Sequence, residues 1–326
     1  MARWRRVHRR LHHAGDEVTG SGESGSQKLI GRRKRMKIAF IGLGNMGGPM
    51  AANLVKNGFE VAGFDVAEPA KEAARAAGIN VCDTVAEAAR GADVVMTMLP
   101  NDALVRGVIA EARPEVAEGT TFIDSSTIAV DAAREIGAEL TDAGFRFIDA
   151  PVSGGIFGAQ EGTLAFMVAG DEATFSEHRS LFEAMGRSIT YCGELGNGQA
   201  VKACNNMILA IQQVALSEAM VMSERLGVDP QVFFDVVSNA TGSSWSLTKN
   251  CPVPGPVPTS PANNDFKPGF ATALMLKDLR LAMQAAESTK TATVLGRIVA
   301  DQYEKLAADG HGGEDFSVII NEVRGA

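Results

Sequence analysis

The chain has 326 residues, of which 45% are hydrophobic, and a formal net charge of −8. That length supports a sizeable core and two domains. The charge is uneven: residues 1–36 carry ten basic against three acidic side chains, whereas the remainder carries 21 against 36. An acidic body argues against a nucleic-acid partner, and the absence of an uninterrupted apolar run of ~18 residues argues against a membrane-spanning helix. Cys82, Cys192, Cys204 and Cys251 form no CxxC pair or metal spacing, which fits a reduced compartment. Outside the leader only His178 and His311 remain, both expected on the solvated surface, which argues against a Ser-His-Asp triad or a histidine-rich metal site.

Residues 1–35 have no hydrophobic periodicity and contain Arg-Arg pairs and the stretch GSGESGS, the composition of a disordered basic extension. Three readings stand: a mitochondrial-type presequence, giving a matrix location, a basic arm, or a segment upstream of a true start at Met36, giving a cytoplasmic protein. The stretch KIAFIGLGNMGGPMAANLVKNGFEVAGFD (37–65) then sets out a strand, three glycines, a helix and a second strand ending on Asp65. Gly42 permits the tight turn, Gly44 lets backbone approach a pyrophosphate, and Gly47 packs the helix close to the strand. Asn45 and Met46 lie within the same loop, and Asp65 is spaced to accept hydrogen bonds from a ribose. The whole reads as a nicotinamide or flavin dinucleotide site.

Strands and helices alternate from 36 to about 195, predicting a Rossmann-type, doubly wound parallel sheet. Strands are expected near 79–82, 92–99, 121–124, 145–149, 164–169 and 188–192, with Ser125-Ser126-Thr127 capping the helix after 121–124. From 199 to 226 a single long helical pattern follows, and beyond it only helices: 229–239, 244–250, 269–287, 291–308 and 314–323. The predicted domains are 36–197, binding the dinucleotide, and 198–326, all-helical and suited to substrate and dimer contacts. The long helix places a cleft at their junction.

Lys202 and Asn206, four apart near the start of that helix, share a face beside the junction. Taken alone, such a lysine is more often a surface residue. Ser153-Gly154-Gly155 offers a hydroxyl and backbone N–H groups suited to a carboxylate, or is a plain turn. Lys277-Asp278 interrupts the apolar run ALMLKDLRLA, either as an exposed stripe or as part of a site.

Together with GLGNMG, the segments DAPVSGG (149–155), GNGQAVKACNNM (196–207), PVPG with SPANN (252–264) and GFATALMLKDLRLA (269–282) resemble the β-hydroxyacid dehydrogenase family. The resemblance spans 37–326 in order. It implies that Lys202 is the catalytic lysine and Asn206 its substrate-orienting partner. It implies further that Ser153, Gly154 and Gly155 hold the substrate carboxylate, and that Lys277 lies near the nicotinamide end of the cofactor. Leu99, Pro100 and Thr127 would touch the cofactor beside Gly42, Gly44, Asn45, Met46, Gly47 and Asp65. The cofactor is then NAD, with no metal, and the assembly a homo-oligomer, dimer or tetramer. One departure is Ser243 in GSSW, where some relatives carry arginine.

The implied reaction is oxidation of a small 3-hydroxy acid, 3-hydroxyisobutyrate, to methylmalonate semialdehyde in valine breakdown. Such chemistry needs a hydride acceptor and a base, and a lysine desolvated in a cleft can serve as that base. Trp245, Phe270 or Leu274 would wall the methyl branch. Reduction of tartronate or succinate semialdehyde is the alternative on the same scaffold. A non-catalytic dinucleotide-binding protein is the alternative of another class.

Overall fold

The computed structural model describes residues 36–325, so the expected disordered extension 1–35 lies outside them. The sheet strands are β1 (Lys37–Ile41), β2 (Glu60–Phe64), β3 (Asn80–Val81), β4 (Val94–Thr97), β5 (Thr121–Asp124), β6 (Arg146–Asp149), β7 (Val152–Ser153), β8 (Leu164–Gly170) and β9 (Gly186–Tyr191). The helices between them are α1 (Gly47–Lys56), α2 (Glu68–Ala76), α3 (Val85–Ala89), α4 (Asp102–Ala112), α5 (Val130–Asp142), α6 (Gly155–Glu161) and α7 (Glu172–Met185). Among the described residues the sheet runs β3-β2-β1-β4-β5-β6-β8-β7, with β9 on β8. Strands β1 to β6 pair parallel throughout.

Alternation along the central strands explains the two covered faces. Ile38, Phe40, Val94 and Met96 enter one core, while Ala39, Ile41, Val95 and Phe122 enter the other. The order reverses between β1 and its neighbours β2 and β4, and in open α/β sheets the crevice beyond the strand ends at such a switch point receives the ligand.

The helical part comprises α8 (Asn197–Arg225), α9 (Pro230–Val237), α10 (Trp245–Thr248), α11 (Thr272–Ser288), α12 (Val294–Ala308) and α13 (Ile320–Gly325). Helix α8 starts against the sheet because Asp149, at the end of β6, accepts from Gly196 N at 2.7 Å and Gln199 N at 3.0 Å. Those two donors favour the carboxylate, yet burial outweighs them and lifts the Asp149 pKa to about 6. Farther along, Ala210 and Val214 pack with Met275 and Leu279 of α11 and Val299 and Tyr303 of α12. No helix among the described residues is long and apolar enough to cross a membrane.

Four expectations need correction. The sheet is not parallel throughout: β8 runs antiparallel to β6 and to β7, because β7 and α6 intervene as a short return. Ser125-Ser126-Thr127 caps no helix; α5 begins at Val130 with Ala129 at its cap and no side-chain cap bond. The expected 314–323 helix opens instead as a 3-10 turn, Phe316–Ile319. His178 is buried, 2% exposed, with Nδ1 2.9 Å from the Thr174 carbonyl oxygen, and burial pushes its pKa down. Its spacing explains this: three residues after Phe175 and four before Phe182, it shares their buried face.

Candidate active site

The fingerprint loop follows β1. Gly42 has φ +95°, and a Cβ there would lie 2.3 Å from the Met98 carbonyl oxygen. A Cβ on Gly47 would lie 1.8 Å from the Gly42 carbonyl oxygen, so both glycines are required by the fold itself. At Gly44 a Cβ would meet no protein atom within 4 Å. Gly44 is therefore unnecessary for packing, and its bare backbone serves whatever approaches the loop. Helix α1 starts at Gly47 with no side-chain cap and no acid in its first turn, leaving N–H groups for an anion. Exposed Asn45 and half-buried Met46 complete the loop. These features fit a dinucleotide pyrophosphate.

Asp65 lies just beyond β2. One oxygen accepts from Leu43 N at 2.7 Å, the other from Ala67 N at 2.8 Å. The carboxylate thus ties the fingerprint loop to the next βα turn. Since an ionised carboxylate has about four acceptor sites, two remain for a ribose diol.

Leu99 and Pro100 follow β4, and Thr127 follows β5. A Cβ on Gly42 would stand 3.0 Å from Leu99 Cδ2, which places Leu99 against the fingerprint. Leu99 N donates to Ser126 Oγ at 2.8 Å, and Asp124 Oδ1 accepts from Ser126 N at 3.1 Å and Thr97 Oγ1 at 2.7 Å. The Ser126 hydroxyl, expected to cap a helix, instead braces the loop after β4. From α11, Lys277 Nζ donates to the Thr127 carbonyl at 2.8 Å, so Lys277 reaches the loop after β5.

Lys202 and Asn206 sit on the buried face of α8. Lys202 is 7% exposed, and its pKa is lowered. Burial is the largest cause; the charge of Asp278 opposes it and that of Lys277 reinforces it. Asn206 Nδ2 donates to Asp278 Oδ2 at 2.5 Å, and Lys277 Nζ lies 3.2 Å from Asp278 Oδ1. A carboxylate only accepts, so Asp278 fixes which end of the Asn206 amide is NH2 and leaves its second N–H for another acceptor. Lys202, Asn206, Lys277 and Asp278 therefore form one group. The role of Asp278 escaped the sequence reading, although a signal existed: it stands three after Met275 and four before Ala282, on the buried face of α11.

Ser153 ends β7, and Gly154 and Gly155 form the turn into α6 with φ of +131° and +63°. A Cβ on Gly155 would stand 3.6 Å from the Gly269 carbonyl oxygen, so this turn faces the loop entering α11. That loop is held by buried Asp315, whose Oδ2 accepts from Gly269 N and Phe270 N, each at 3.0 Å. Phe270 is half-buried on Phe316, at 5.7 Å between ring centroids. Trp245 and Leu274 are about half exposed, and Ser243 is exposed before α10.

Gly44→Ala should separate binding from folding. The variant is expected to keep its melting temperature within a few degrees while NADH affinity falls roughly tenfold or more, about 1.4 kcal/mol. A fluorescence titration that finds unchanged affinity would show that the loop holds no pyrophosphate.

Residues 37–193 match the family model described as the NAD binding domain of 6-phosphogluconate dehydrogenase. Residues 196–323 match that described as the NAD-binding of NADP-dependent 3-hydroxyisobutyrate dehydrogenase. A probable 3-hydroxyisobutyrate dehydrogenase of Mycobacterium bovis is 54% identical over 291 residues, covering 88% of this chain and 97% of that protein. An NAD-dependent L-serine dehydrogenase of Pseudomonas aeruginosa is 40% identical over 286 residues, covering 87% and 96%. The solved structure of Mycobacterium tuberculosis 3-hydroxyisobutyrate dehydrogenase with L-serine superposes with a TM-score of 0.85 at 53% identity, over 89% of this chain and 99% of that one.

Proposed function

This chain belongs to the 3-hydroxyisobutyrate dehydrogenase family, and we propose that it oxidises 3-hydroxyisobutyrate to methylmalonate semialdehyde with Lys202 as the proton acceptor. It is an NAD-dependent dehydrogenase acting on a hydroxy acid. Lys202 carries the mechanistic reading: a buried amine with a lowered pKa, beside an amide whose orientation a buried carboxylate fixes. When bound, NAD supplies the electron-pair acceptor for the hydrogen that leaves carbon 3. The neutral Lys202 amine takes the hydroxyl proton as the carbonyl forms, and the resulting ammonium later gives that proton to solvent. In the reverse direction the ammonium protonates the developing alkoxide. The free Asn206 N–H donates to the same oxygen and stabilises its charge. Ser153 and the Gly154 and Gly155 amides hold the carboxylate, and Lys277 holds the Thr127 loop on the cofactor side.

L-serine is the second reading, motivated by the relative named for it and by the solved structure containing it. Serine places an ammonium where 3-hydroxyisobutyrate has a methyl. In this chain Asp278 Oδ2 accepts from Asn206, Oδ1 lies 3.2 Å from Lys277 Nζ, and Lys202 and Lys277 add positive charge that a serine ammonium would meet. Phe270 offers the methyl an apolar wall. The methyl acid is therefore the better fit. Incubation with 3-hydroxyisobutyrate and NAD⁺ should yield methylmalonate semialdehyde and NADH one to one, measured by mass spectrometry and absorbance. NADH formation without that aldehyde would remove the assignment.

A homo-oligomer is also proposed. Val201, Ile208 and Met222 of α8 and Val294, Leu295 and Ile298 of α12 are all exposed, apolar side chains that a second copy could cover. Four cysteines free of disulfides support a cytoplasmic location.

A further inference from the structure

We propose that Gln199 is a positioning residue that sets the catalytic helix in register with the cofactor-side loop. Its side chain is 1% exposed and lies in the first turn of α8, three residues before Lys202 and hence on neighbouring helix surface. Both ends of the amide are used on one segment. Nε2 donates to the Ser126 carbonyl at 2.8 Å, and Oε1 accepts from Ile128 N at 3.2 Å. The residue between them, Thr127, gives its own carbonyl to Lys277 Nζ at 2.8 Å. Three consecutive residues, 126 to 128, are thus gripped from α8 and α11, the two helices that carry Lys202 and Lys277.

The grip extends to the fingerprint side through Ser126 Oγ, which accepts from Leu99 N at 2.8 Å. A continuous hydrogen-bonded path therefore runs from the loop beside Gly42 to the helix turn that precedes Lys202. Simple attachment of α8 to the sheet does not need this side chain. Asp149 already holds the helix start through the backbone N–H groups of Gly196 and Gln199. What the Gln199 amide adds is register: it fixes how far the Lys202 amine stands from a carbon presented over the Thr127 loop. Proton and electron-pair transfer occur together only over a narrow range of distances, and a displacement of about 1 Å can cost about 100-fold in rate.

The inference rests on the roles proposed for Lys202 and Thr127, and the test keeps the two separable. Gln199→Met is nearly isosteric and loses both bonds; Gln199→Glu keeps the acceptor for Ile128 N and loses the donor to Ser126. For each, melting temperature, NADH affinity, kcat, KM and the primary deuterium isotope effect with 3-hydroxyisobutyrate deuterated at carbon 3 are compared with wild type. The expected result is a fall in kcat of roughly 10- to 100-fold for Gln199→Met and less for Gln199→Glu, with KM within about threefold. The isotope effect on kcat should rise in both, because the transfer step becomes slower than product release. A merely structural role would lower the active fraction and leave the isotope effect unchanged. Either that outcome, or kcat within about twofold of wild type in both variants, overturns the inference. If Gln199→Met does not fold, Gln199→Glu decides alone by the same isotope effect. Wild-type turnover and Lys202→Ala test the underlying reading independently.

Discussion

Replacing Lys202 by alanine is expected to lower kcat by roughly 10²–10⁴-fold while leaving NADH affinity nearly unchanged. The size follows from what the proposed mechanism would lose, the proton acceptor itself. Asn206 does not titrate, Asp278 accepts from Asn206 and lies 3.2 Å from Lys277 Nζ, and Lys277 is held on Thr127. The wild-type pH profile should carry the same signature. A free lysine amine has a pKa of ~10.4. In the fold, burial lowers it because the charged form loses water, and the neighbouring charges of Asp278 and Lys277 oppose one another. Oxidation needs the neutral amine, so kcat should rise with pH and level off below the free-lysine value. Reduction needs the ammonium and should fall over the same interval. Turnover of Lys202→Ala within tenfold of wild type would remove the role.

Cofactor choice should show the second large effect, with kcat/KM for NAD exceeding that for NADP on the order of 100-fold. Asp65 stands at the end of β2 with a carboxylate anchored by Leu43 and Ala67 amides, so it cannot swing away from a 2′-phosphate without breaking both bonds. Acceptance of that phosphate would need a free cation nearby. In α2 the cations are already engaged: Arg75 Nη1 lies 2.8 Å and Lys71 Nζ 3.6 Å from Glu68 oxygens. Asp65→Ser should narrow the preference at least tenfold, since it removes the charge and keeps an acceptor. Equal efficiency of the two cofactors in wild type would show that Asp65 does not select.

The parts of this site legible in the sequence are those whose reasons are local. Gly42, Gly44, Gly47 and Asp65 lie within one βαβ unit, and each answers a backbone or spacing demand that a short window contains. Lys202 and Asn206 could be placed on one helix face because four residues make a turn. Their chemistry could not be read the same way. The partner that orients Asn206 is Asp278, 72 residues away, and nothing in a linear window shows that α8 and α11 bring the two within 2.5 Å. Ser126 shows the opposite failure. Its type and position suit a helix cap, yet its hydroxyl is claimed by Leu99 across the sheet, a tertiary bond that overrides a local preference. The antiparallel edge was hidden because β7 is only two residues long and carries no readable alternation.

The most direct test is kcat/KM for 3-hydroxyisobutyrate, L-serine and glycerate in one NAD⁺ assay. The three acids share the carboxylate and the carbon-3 hydroxyl and differ only at carbon 2, by a methyl, an ammonium and a hydroxyl. A wall that accepts a methyl rejects an added polar group by roughly 10²-fold or less, whereas a site built to bond a hydroxyl rejects its absence far more strongly, by about 10⁴-fold. 3-Hydroxyisobutyrate is therefore expected to lead both by at least about tenfold, with glycerate slow but measurable. A higher kcat/KM for serine or glycerate would contradict the assignment of 3-hydroxyisobutyrate as the substrate.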